Sequence, residues 1–401
     1  MNPKLSQTAK PSAELQGVPL LDLRRQYEPL REEILAAVER VCASQHFILG
    51  AEVEALENEI AAFTGAAAAV GCSSGTDALW LALAAAGIGP GDAVLTTPFS
   101  FFASASAIVR AGARPVFADV DPLTLNLDPA QVEAKVRGRT RVRAILPVHL
   151  YGQCADMNAL QRIANEFNLT IIEDAAQAIG AAWRGGQAGS LGAAAAFSFY
   201  PTKNLSAYGD AGLVTARDPE LAAHMRRLRN HGGPQRYLHE EMGWNCRLDA
   251  IQAAVLRVKL PHVERWNQQR RERAATYDCL FQEAGLAKVV SADFPLAAET
   301  STPLILPHTS PHAVHVFHQY VIRAQRRDEL RQFLAARNIG TEIYYPLPLH
   351  LQPALAYLGY REGDFPEAER AAKEVLALPM FPELTEEEQR LVLAAVAEFY
   401  S

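Results

Sequence analysis

A lysine in an aromatic stretch is the first residue whose setting suggests covalent chemistry. Lys203 comes shortly after an apolar run, residues 194–199, and aromatic side chains stand at the end of that run. A lysine in such a setting is partly desolvated, which favours the neutral, nucleophilic amine. A neutral lysine amine can form a Schiff base with a carbonyl compound. From the residue alone, the alternative is an exposed surface lysine, the usual state of this residue type.

Asp174 and Gln177 lie at and just beyond the end of a second apolar run. A carboxylate at the end of a buried strand is poorly solvated and needs a cationic partner. A protonated pyridine nitrogen would serve, because an acidic residue that keeps this nitrogen protonated makes pyridoxal 5′-phosphate (PLP) an electron sink. Gln177 could then reach the ring hydroxyl. The alternative for Asp174 is the N-cap of a helix.

A candidate phosphate site follows a third apolar run. Residues 73–77, Ser-Ser-Gly-Thr-Asp, open a helical stretch. Exposed N–H groups at a helix N-terminus, with hydroxyls and a glycine beside them, suit a phosphate. A simple N-cap turn is the alternative. Ser198, five residues before Lys203, is a further candidate for phosphate binding.

The elements that must position these residues alternate between strand and helix from residue 67 onward. Expected strands are 68–71, 93–97, 114–118, 142–147, 169–172 and 194–199, and expected helices are 76–86, 103–111, 129–136 and 158–167. This alternation predicts an α/β fold with a mostly parallel sheet covered by helices. Ligands bind at the carboxyl ends of such strands. A phosphate site, then an acid, then a lysine is the order of a fold-type I PLP enzyme.

The rest of the chain predicts a second, smaller domain. Residues 18–65 are largely helical in pattern, and a long helical region, 248–284, is broken near Pro261. Beyond it, 316–322 is strand-like, and 327–337 and 385–400 are helical. We therefore expect a flexible segment at 1–17, a large PLP-binding α/β domain at 18–260 and a small α+β domain at 261–401.

Composition and charge exclude several classes of protein. The 401 residues carry 38 Lys and Arg against 45 Asp and Glu, a net charge of −7 without a basic block, so nucleic acid is not an expected partner. Apolar runs are too short for a membrane helix, and the N-terminus has no apolar signal core, which predicts a cytoplasmic protein. The five cysteines contain no CxxC pair and are expected to be reduced, and no metal-binding motif is present.

Two other features leave structural and functional interpretations open. His149 follows an expected strand and could line the site or pack in the core. Arg270, Arg271 and Arg273, with Glu264 and Glu272 nearby, predict a solvated helix face.

Eight short motifs resemble the DegT/DnrJ/EryC1/StrS family of nucleotide-sugar aminotransferases, over nearly the whole chain from residue 18. They are residues 74–79, 98–101, 173–177, 197–199, 203–205, 209–212, 245–249 and 345–350. The chain departs from the usual family pattern at Cys246, where Ser is usual, at Ala193, where Asp is common, and at Ser206, where Gly is common.

The resemblance implies a fold-type I aminotransferase with a seven-stranded sheet, and a role for each matching residue. Lys203 would hold PLP as a Schiff base and shuttle the proton, with Asp174 on the pyridine nitrogen and Gln177 on the ring oxygen. The remaining implied contacts are Gly75, Thr76 and Ser198 with the phosphate, Phe101 stacked on the ring, Asn245 reaching the phosphate of the neighbouring subunit in a homodimer, and Tyr345 and His350 facing the sugar.

The function implied is transamination of a keto sugar linked to a nucleoside diphosphate, with L-glutamate as amino donor. Residues 245–248 and 344–346 look closer to relatives that act on 3-keto sugars than on 4-keto sugars. A PLP-dependent sugar dehydratase or lyase is one alternative, which Lys203 argues against because dehydratase relatives carry histidine there. A non-catalytic regulatory protein of the same fold is the other.

Overall fold

The computed structural model describes residues 17–138, 141–235, 237–288 and 302–401. Its strands are β1 Ala68–Cys72, β2 Ala93–Thr96, β3 Arg114–Phe117, β4 Val142–Leu146, β5 Thr170–Asp174, β6 Ala182–Trp183, β7 Gly186–Gln187, β8 Ala194–Ser198, β9 Gly212–Ala216, β10 Ala287–Lys288, β11 Leu304–Ile305, β12 Ala313–Val314, β13 Tyr320–Ala324 and β14 Val375–Leu378. Its α-helices are α1 Leu23–Tyr27, α2 Arg31–Ser44, α3 Ala51–Thr64, α4 Gly75–Ala85, α5 Ala103–Arg110, α6 Pro129–Arg137, α7 Met157–Phe167, α8 Pro219–Leu228, α9 Ala250–Lys259, α10 Val263–Glu283, α11 Arg327–Ala335, α12 Pro366–Glu374 and α13 Glu386–Tyr400.

The main sheet has seven strands in the order β1-β9-β8-β5-β4-β2-β3. All neighbours pair in parallel except β9, which is antiparallel to both β1 and β8. The predicted mostly parallel seven-stranded sheet is confirmed, and the six strands expected from the sequence form within one or two residues of their expected bounds. The sequence patterns did not identify β9, which lies between β1 and β8.

Helices cover both faces of this sheet. Helix α4 is apolar on nearly every side and lies buried with α5 and α8 against one face. Helices α3, α6, α7 and α9 bury apolar side chains against the other face. The result is the three-layer arrangement that strand–helix alternation predicts.

Capping residues explain where several helices begin. The Ser74 hydroxyl accepts a hydrogen bond from the Asp77 N–H at the start of α4. Asp128 caps α6, where Pro129 occupies the first turn, and Thr385 forms a capping box with Glu388 at the start of α13. Each cap satisfies N–H groups that the first helical turn leaves without an intrahelical partner.

A four-stranded sheet, β10-β11-β13-β14, forms the second sheet of the molecule, and β12-β6-β7 form a third. The predicted helix break occurs at a 3₁₀ turn, Leu260–His262, between α9 and α10. The strand expected at 316–322 instead begins at Tyr320, because Val316 donates its N–H to Gly152 in another part of the molecule.

The segment that precedes α1 pairs with the C-terminal part of the chain. Val18 exchanges backbone hydrogen bonds with residues 338 and 340, and Met380 donates its N–H to the Leu20 carbonyl at 3.2 Å. The division of the chain at residue 260 stays a prediction, and all but the last residue of the expected flexible segment 1–17 lies outside the described residues. In the described part, no helix has the length and apolarity needed to span a membrane. The cytoplasmic location stays a prediction.

Candidate active site

The ends of neighbouring strands bring the candidate catalytic and binding residues together. Strands β5 and β8 are parallel neighbours, so Asp174 and Ser198 lie at the same edge of the sheet. Gly75 begins α4 at this edge, and a Cβ atom placed on it would lie only 2.7 Å from the Ser198 Cβ. The start of α4 and the end of β8 therefore meet in a niche that is open only because residue 75 is glycine.

The Asp174 carboxyl is buried and has few partners. Ser104 donates its hydroxyl to Oδ2 at 2.7 Å, and the Ala176 N–H donates to Oδ1 at 3.2 Å. Desolvation raises the pKa of this carboxyl, and these hydrogen bonds and the Lys203 charge oppose the rise. No helix follows β5 directly, so Asp174 is not an N-cap. Its ionised form would gain from a cation in the site.

Lys203 is half-buried at the same edge. Desolvation lowers the pKa of its amine to about 8, against the opposing effect of the Asp174 carboxylate. A larger share of the amine is therefore neutral near physiological pH than for a solvated lysine. The surface-lysine alternative does not describe this environment.

The loop that follows Lys203 is fixed at several points. Asn204 donates to the Asn267 side chain at 2.8 Å and to the Val316 carbonyl at 3.1 Å. Lys259 donates its ammonium to the Ser206 carbonyl and hydroxyl at 2.9 and 3.0 Å. Ser206, where the family commonly has glycine, thus contributes an anchor, and these contacts restrict where the Lys203 backbone can lie.

Gln177 is held between two tyrosines. Its Oε1 accepts the Tyr151 N–H at 2.6 Å, and its Nε2 donates to the Tyr345 hydroxyl at 3.3 Å. The Phe101 ring, which is 59% exposed, lies 6.3 Å from the Tyr345 ring. Desolvation raises the pKa of the Tyr345 hydroxyl, so this group stays neutral. Gln177, Tyr345 and Phe101 therefore form one group beside Asp174.

The niche at the start of α4 fits an anion such as a phosphate. Ser74 caps the helix, and Gly75 and Thr76 stand in its first turn, where backbone N–H groups lack intrahelical acceptors. The Ser198 Oγ would lie 3.2 Å from a Cβ on Gly75, so the hydroxyl borders the same space. Together with Lys203 and Asp174, this niche matches the phosphate, aldehyde and pyridine nitrogen of PLP.

Asn245 lies apart from this group on an exposed loop. Its backbone bridges Asn230, and its neighbour Trp244 is 53% exposed. The loop also carries exposed Tyr237 and Met242 side chains. A contact of Asn245 with a neighbouring subunit stays a prediction.

The His350 ring is buried, with Nε2 3.0 Å from Glu369 on α12 and Phe365 packed against it at 4.8 Å. A contact of His350 with the sugar stays a prediction.

Arg270 also corrects an expectation from the sequence, because it is buried rather than part of a solvated helix face. His149 proves to be a packed histidine: its Nε2 lies 2.9 Å from the Glu173 carboxylate. Ser104 was not identified from the sequence. Its signal is a serine in the otherwise mostly apolar helix α5, just after the motif at residues 98–101.

Comparison with known proteins agrees with this geometry. The model of the DegT/DnrJ/EryC1/StrS aminotransferase family matches residues 28–397. The chain belongs to this family. Enzymes of the family use PLP, and the chain is a PLP-dependent sugar aminotransferase.

Three similar proteins illustrate the range of the family. A Geobacillus stearothermophilus protein named pleiotropic regulatory protein is 54% identical and covers 96% of this chain and 99% of its own length. The dTDP-3-amino-3,4,6-trideoxy-alpha-D-glucose transaminase of Streptomyces venezuelae is 46% identical, covering 96% and 97%. A crystal structure of S. venezuelae DesV with a ketimine intermediate has a TM-score of 0.88 at 46% identity, covering 96% and 98%.

Proposed function

We propose that the chain transfers the amino group of L-glutamate to the keto carbon of a nucleoside-diphosphate-linked sugar, at the 3-position. The observation that carries the proposal is the Lys203 amine, with a pKa of about 8, beside the buried Asp174 carboxylate. The Streptomyces venezuelae relative, whose name places an amino group at C3 of a dTDP-linked sugar, supports the choice of position. The motifs at residues 245–248 and 344–346 support it independently.

Three residues of the chain have separate roles in the proposed reaction. Once bound, PLP supplies an electron sink for the substrate carbon. Asp174 would hold a proton on the pyridine nitrogen, and Ser104 keeps the carboxylate in place. Lys203 would move a proton between the substrate carbon and the cofactor carbon within each half-reaction, as a general base and acid.

The remaining residues bind and orient. Gly75, Thr76 and Ser198 would hold the phosphate in the niche between α4 and β8. Gln177 would meet the ring oxygen, and Phe101 would stack on the ring. Asn245 reaches the phosphate bound by a second copy of the chain, so the active unit is a homodimer.

The test is the visible spectrum of purified protein before and after L-glutamate. Wild type should show the band of lysine-bound PLP, and L-glutamate should convert it to the spectrum of pyridoxamine phosphate. Lys203→Ala should lack the band, whereas the control Lys373→Ala, which changes an exposed lysine on α12, should behave as wild type. dTDP- and UDP-linked 3-keto sugars should then restore the band.

Three outcomes would count against the proposal. Wild type that binds no PLP when supplied with it would overturn the enzyme assignment. A band that L-glutamate leaves unchanged would remove L-glutamate as the donor. Restoration by 4-keto sugars alone would overturn the 3-position.

A regulatory role is the second candidate, because the 54% identical relative carries a regulatory name. In that case Lys203→Ala would leave the cellular function unchanged, whether or not the purified wild type binds PLP.

A sugar dehydratase is disfavoured by Lys203 itself. Analysis of the product separates transamination from dehydration, because a transaminase adds nitrogen to the sugar and a dehydratase removes water.

A further inference from the structure

A side cavity opens beside the Lys203 loop. It has a volume of about 90 Å³ and lies between the segment before α1, helix α10, the residues just before β13 and the end of β14. Its polar lining residues include Thr202, Arg270, His318, Gln319 and Tyr344. One water molecule needs roughly 10–15 Å³ of such space, so the cavity has room for a group of several heavy atoms.

The cavity borders the proposed site of reaction. Thr202 in its wall immediately precedes Lys203. His318 is close enough to Lys203 for the lysine charge to contribute to lowering the pKa of its ring, although desolvation is the larger cause. Tyr344 precedes Tyr345, which holds Gln177. A substrate whose amine reaches Lys203 can therefore extend a second group into this cavity.

Arg270 is a buried cation with incomplete partners. Its Nη1 donates to the Phe317 and Met380 carbonyls, both at 3.2 Å, and to the His318 carbonyl at 3.4 Å, while its Nε has no hydrogen-bond partner among the described residues. Among these residues no carboxylate forms an ion pair with it, and Glu383 acts on it from farther away. Burial lowers the pKa of the guanidinium to about 10. A buried charge of this kind gains most from an anion at its free edge.

Gln319 supplies a second polar atom without a partner. Its Oε1 is buried and unbonded among the described residues, while its amide is hydrogen bonded to the Tyr344 hydroxyl. The two ends of an amide are interchangeable in position. With the amide turned over, the Tyr344 hydroxyl would donate to Oε1, and Nε2 would be free to donate into the cavity. Arg270 and Gln319 then both present donors.

We propose that this cavity binds a carboxylate of a dicarboxylic amino donor, with Arg270 as the cation that recognises it and Gln319 as the second donor. The inference rests on the proposed transamination and names how that reaction selects its donor. Arg270 and Gln319 are specificity residues here, because neither reaches the atoms that react.

The experiment measures the first half-reaction with L-glutamate and with L-glutamine. These two donors have the same shape, but the side chain of L-glutamate ends in a carboxylate and that of L-glutamine in an amide. Wild type should prefer L-glutamate. Arg270→Gln should lower the ratio of kcat/KM for L-glutamate to that for L-glutamine by about tenfold to hundredfold, the range expected for a charge-assisted hydrogen bond. Arg270→Lys should retain part of the ratio. Arg271→Gln, which removes a charge from the next residue and whose partner is Gln268, is the matched control and should leave the ratio unchanged.

Glutarate adds a binding readout that does not require turnover. It should compete with L-glutamate in wild type and lose this ability in Arg270→Gln, while the KM for the keto sugar stays the same. A folded Arg270→Gln protein with the wild-type donor ratio and wild-type glutarate inhibition would overturn the inference.

Arg270→Gln could fail to fold, because it removes several buried hydrogen bonds. Gln319→Met is therefore the second variant, with an expected fall of about fivefold or more in the same ratio. An unchanged ratio in folded Gln319→Met would also overturn the inference. If no amino donor converted the PLP form of the wild type, the proposed function itself would be overturned. If the wild type used L-glutamate and L-glutamine equally well, only the carboxylate site would be overturned.

Discussion

The two carboxylates at the end of β5 are neighbours in sequence and lie in different environments. Glu173 is fully buried and accepts three backbone N–H groups, from Gly189 at 3.0 Å, Leu191 at 2.9 Å and Gly192 at 2.7 Å. The His149 ring supplies a fourth partner at 2.9 Å. Among the described residues, the Asp174 carboxylate accepts one hydroxyl and one N–H.

The difference separates a structural acid from one reserved for a ligand. The His149 Nδ1 accepts the Ala155 N–H, so its proton sits on Nε2 and is donated to Glu173. The three N–H groups thus connect β5 to the turn before β8, and the His149 ring connects β5 to the segment after β4. Asp174 points to the other face of the strand and keeps acceptor capacity for a cation. Adjacent residues thus serve the fold and the proposed chemistry separately.

Of the variants that test the difference between Asp174 and Glu173, Asp174→Asn should have the largest effect on activity. The amide cannot hold a proton on the pyridine nitrogen, so kcat should fall on the order of 10²-fold or more. Stability should not fall, because the raised pKa of Asp174 means that its ionised form is disfavoured by folding and costs stability at neutral pH. Steady-state kinetics and guanidinium unfolding test both halves. Loss of activity together with loss of stability would make Asp174 a structural residue like Glu173.

Glu173→Gln should show the opposite pattern. Its amide N–H₂ would face backbone N–H groups that now donate to a carboxylate, leaving buried donors unsatisfied. The free energy of unfolding should fall by about 2–3 kcal/mol. The kcat of the folded protein should stay within a few-fold of wild type. A fall in kcat as large as that of Asp174→Asn, at full stability, would erase the distinction.

The smallest expected effect, and the most specific one, is a shift in the pH dependence of the rate at which the apoprotein binds PLP. The amine of Lys203 must be neutral to react, so the rate should rise with pH through about 8 and then level off. Asp174 raises the pKa of Lys203, so Asp174→Asn should move the midpoint to lower pH. Glu173→Gln should leave it in place. An equal shift in both variants would show that the two acids act on the lysine alike.

Much of this arrangement could be predicted because parallel strands bring distant residues to one edge. The apolar runs that end near Asp174 and Ser198 defined β5 and β8, and the parallel pairing of these strands placed both residues at the same edge of the sheet. The glycine at the start of α4 marked the niche because a helix start after a strand end requires a tight turn. Local pattern and sheet geometry were sufficient for these features.

The residues that escaped prediction depend on contacts far away in the chain. Arg270 looks like part of a charged helix face, but it is buried, and its acceptors are carbonyls 47, 48 and 110 residues farther on. His350 has Glu369 as a partner, 19 residues farther on, and the motif at residues 345–350 does not indicate this contact. The pattern of charged residues along a helix does not indicate partners of this kind. Every residue has a backbone carbonyl, so the sequence does not show which of them a side chain will contact.

The position of β9 has a consequence for how the protein is made. Within the main sheet, β1 pairs only with β9, and β9 joins it to β8. During synthesis, the strand that precedes Gly75 therefore has no sheet partner until residues 212–216 have left the ribosome. The niche between Gly75 and Ser198 closes late, when a strand made after Lys203 inserts between two made before it. A nascent chain that stops at Asp210 would contain every residue proposed to touch PLP within one subunit, yet would lack the strand that joins its two halves.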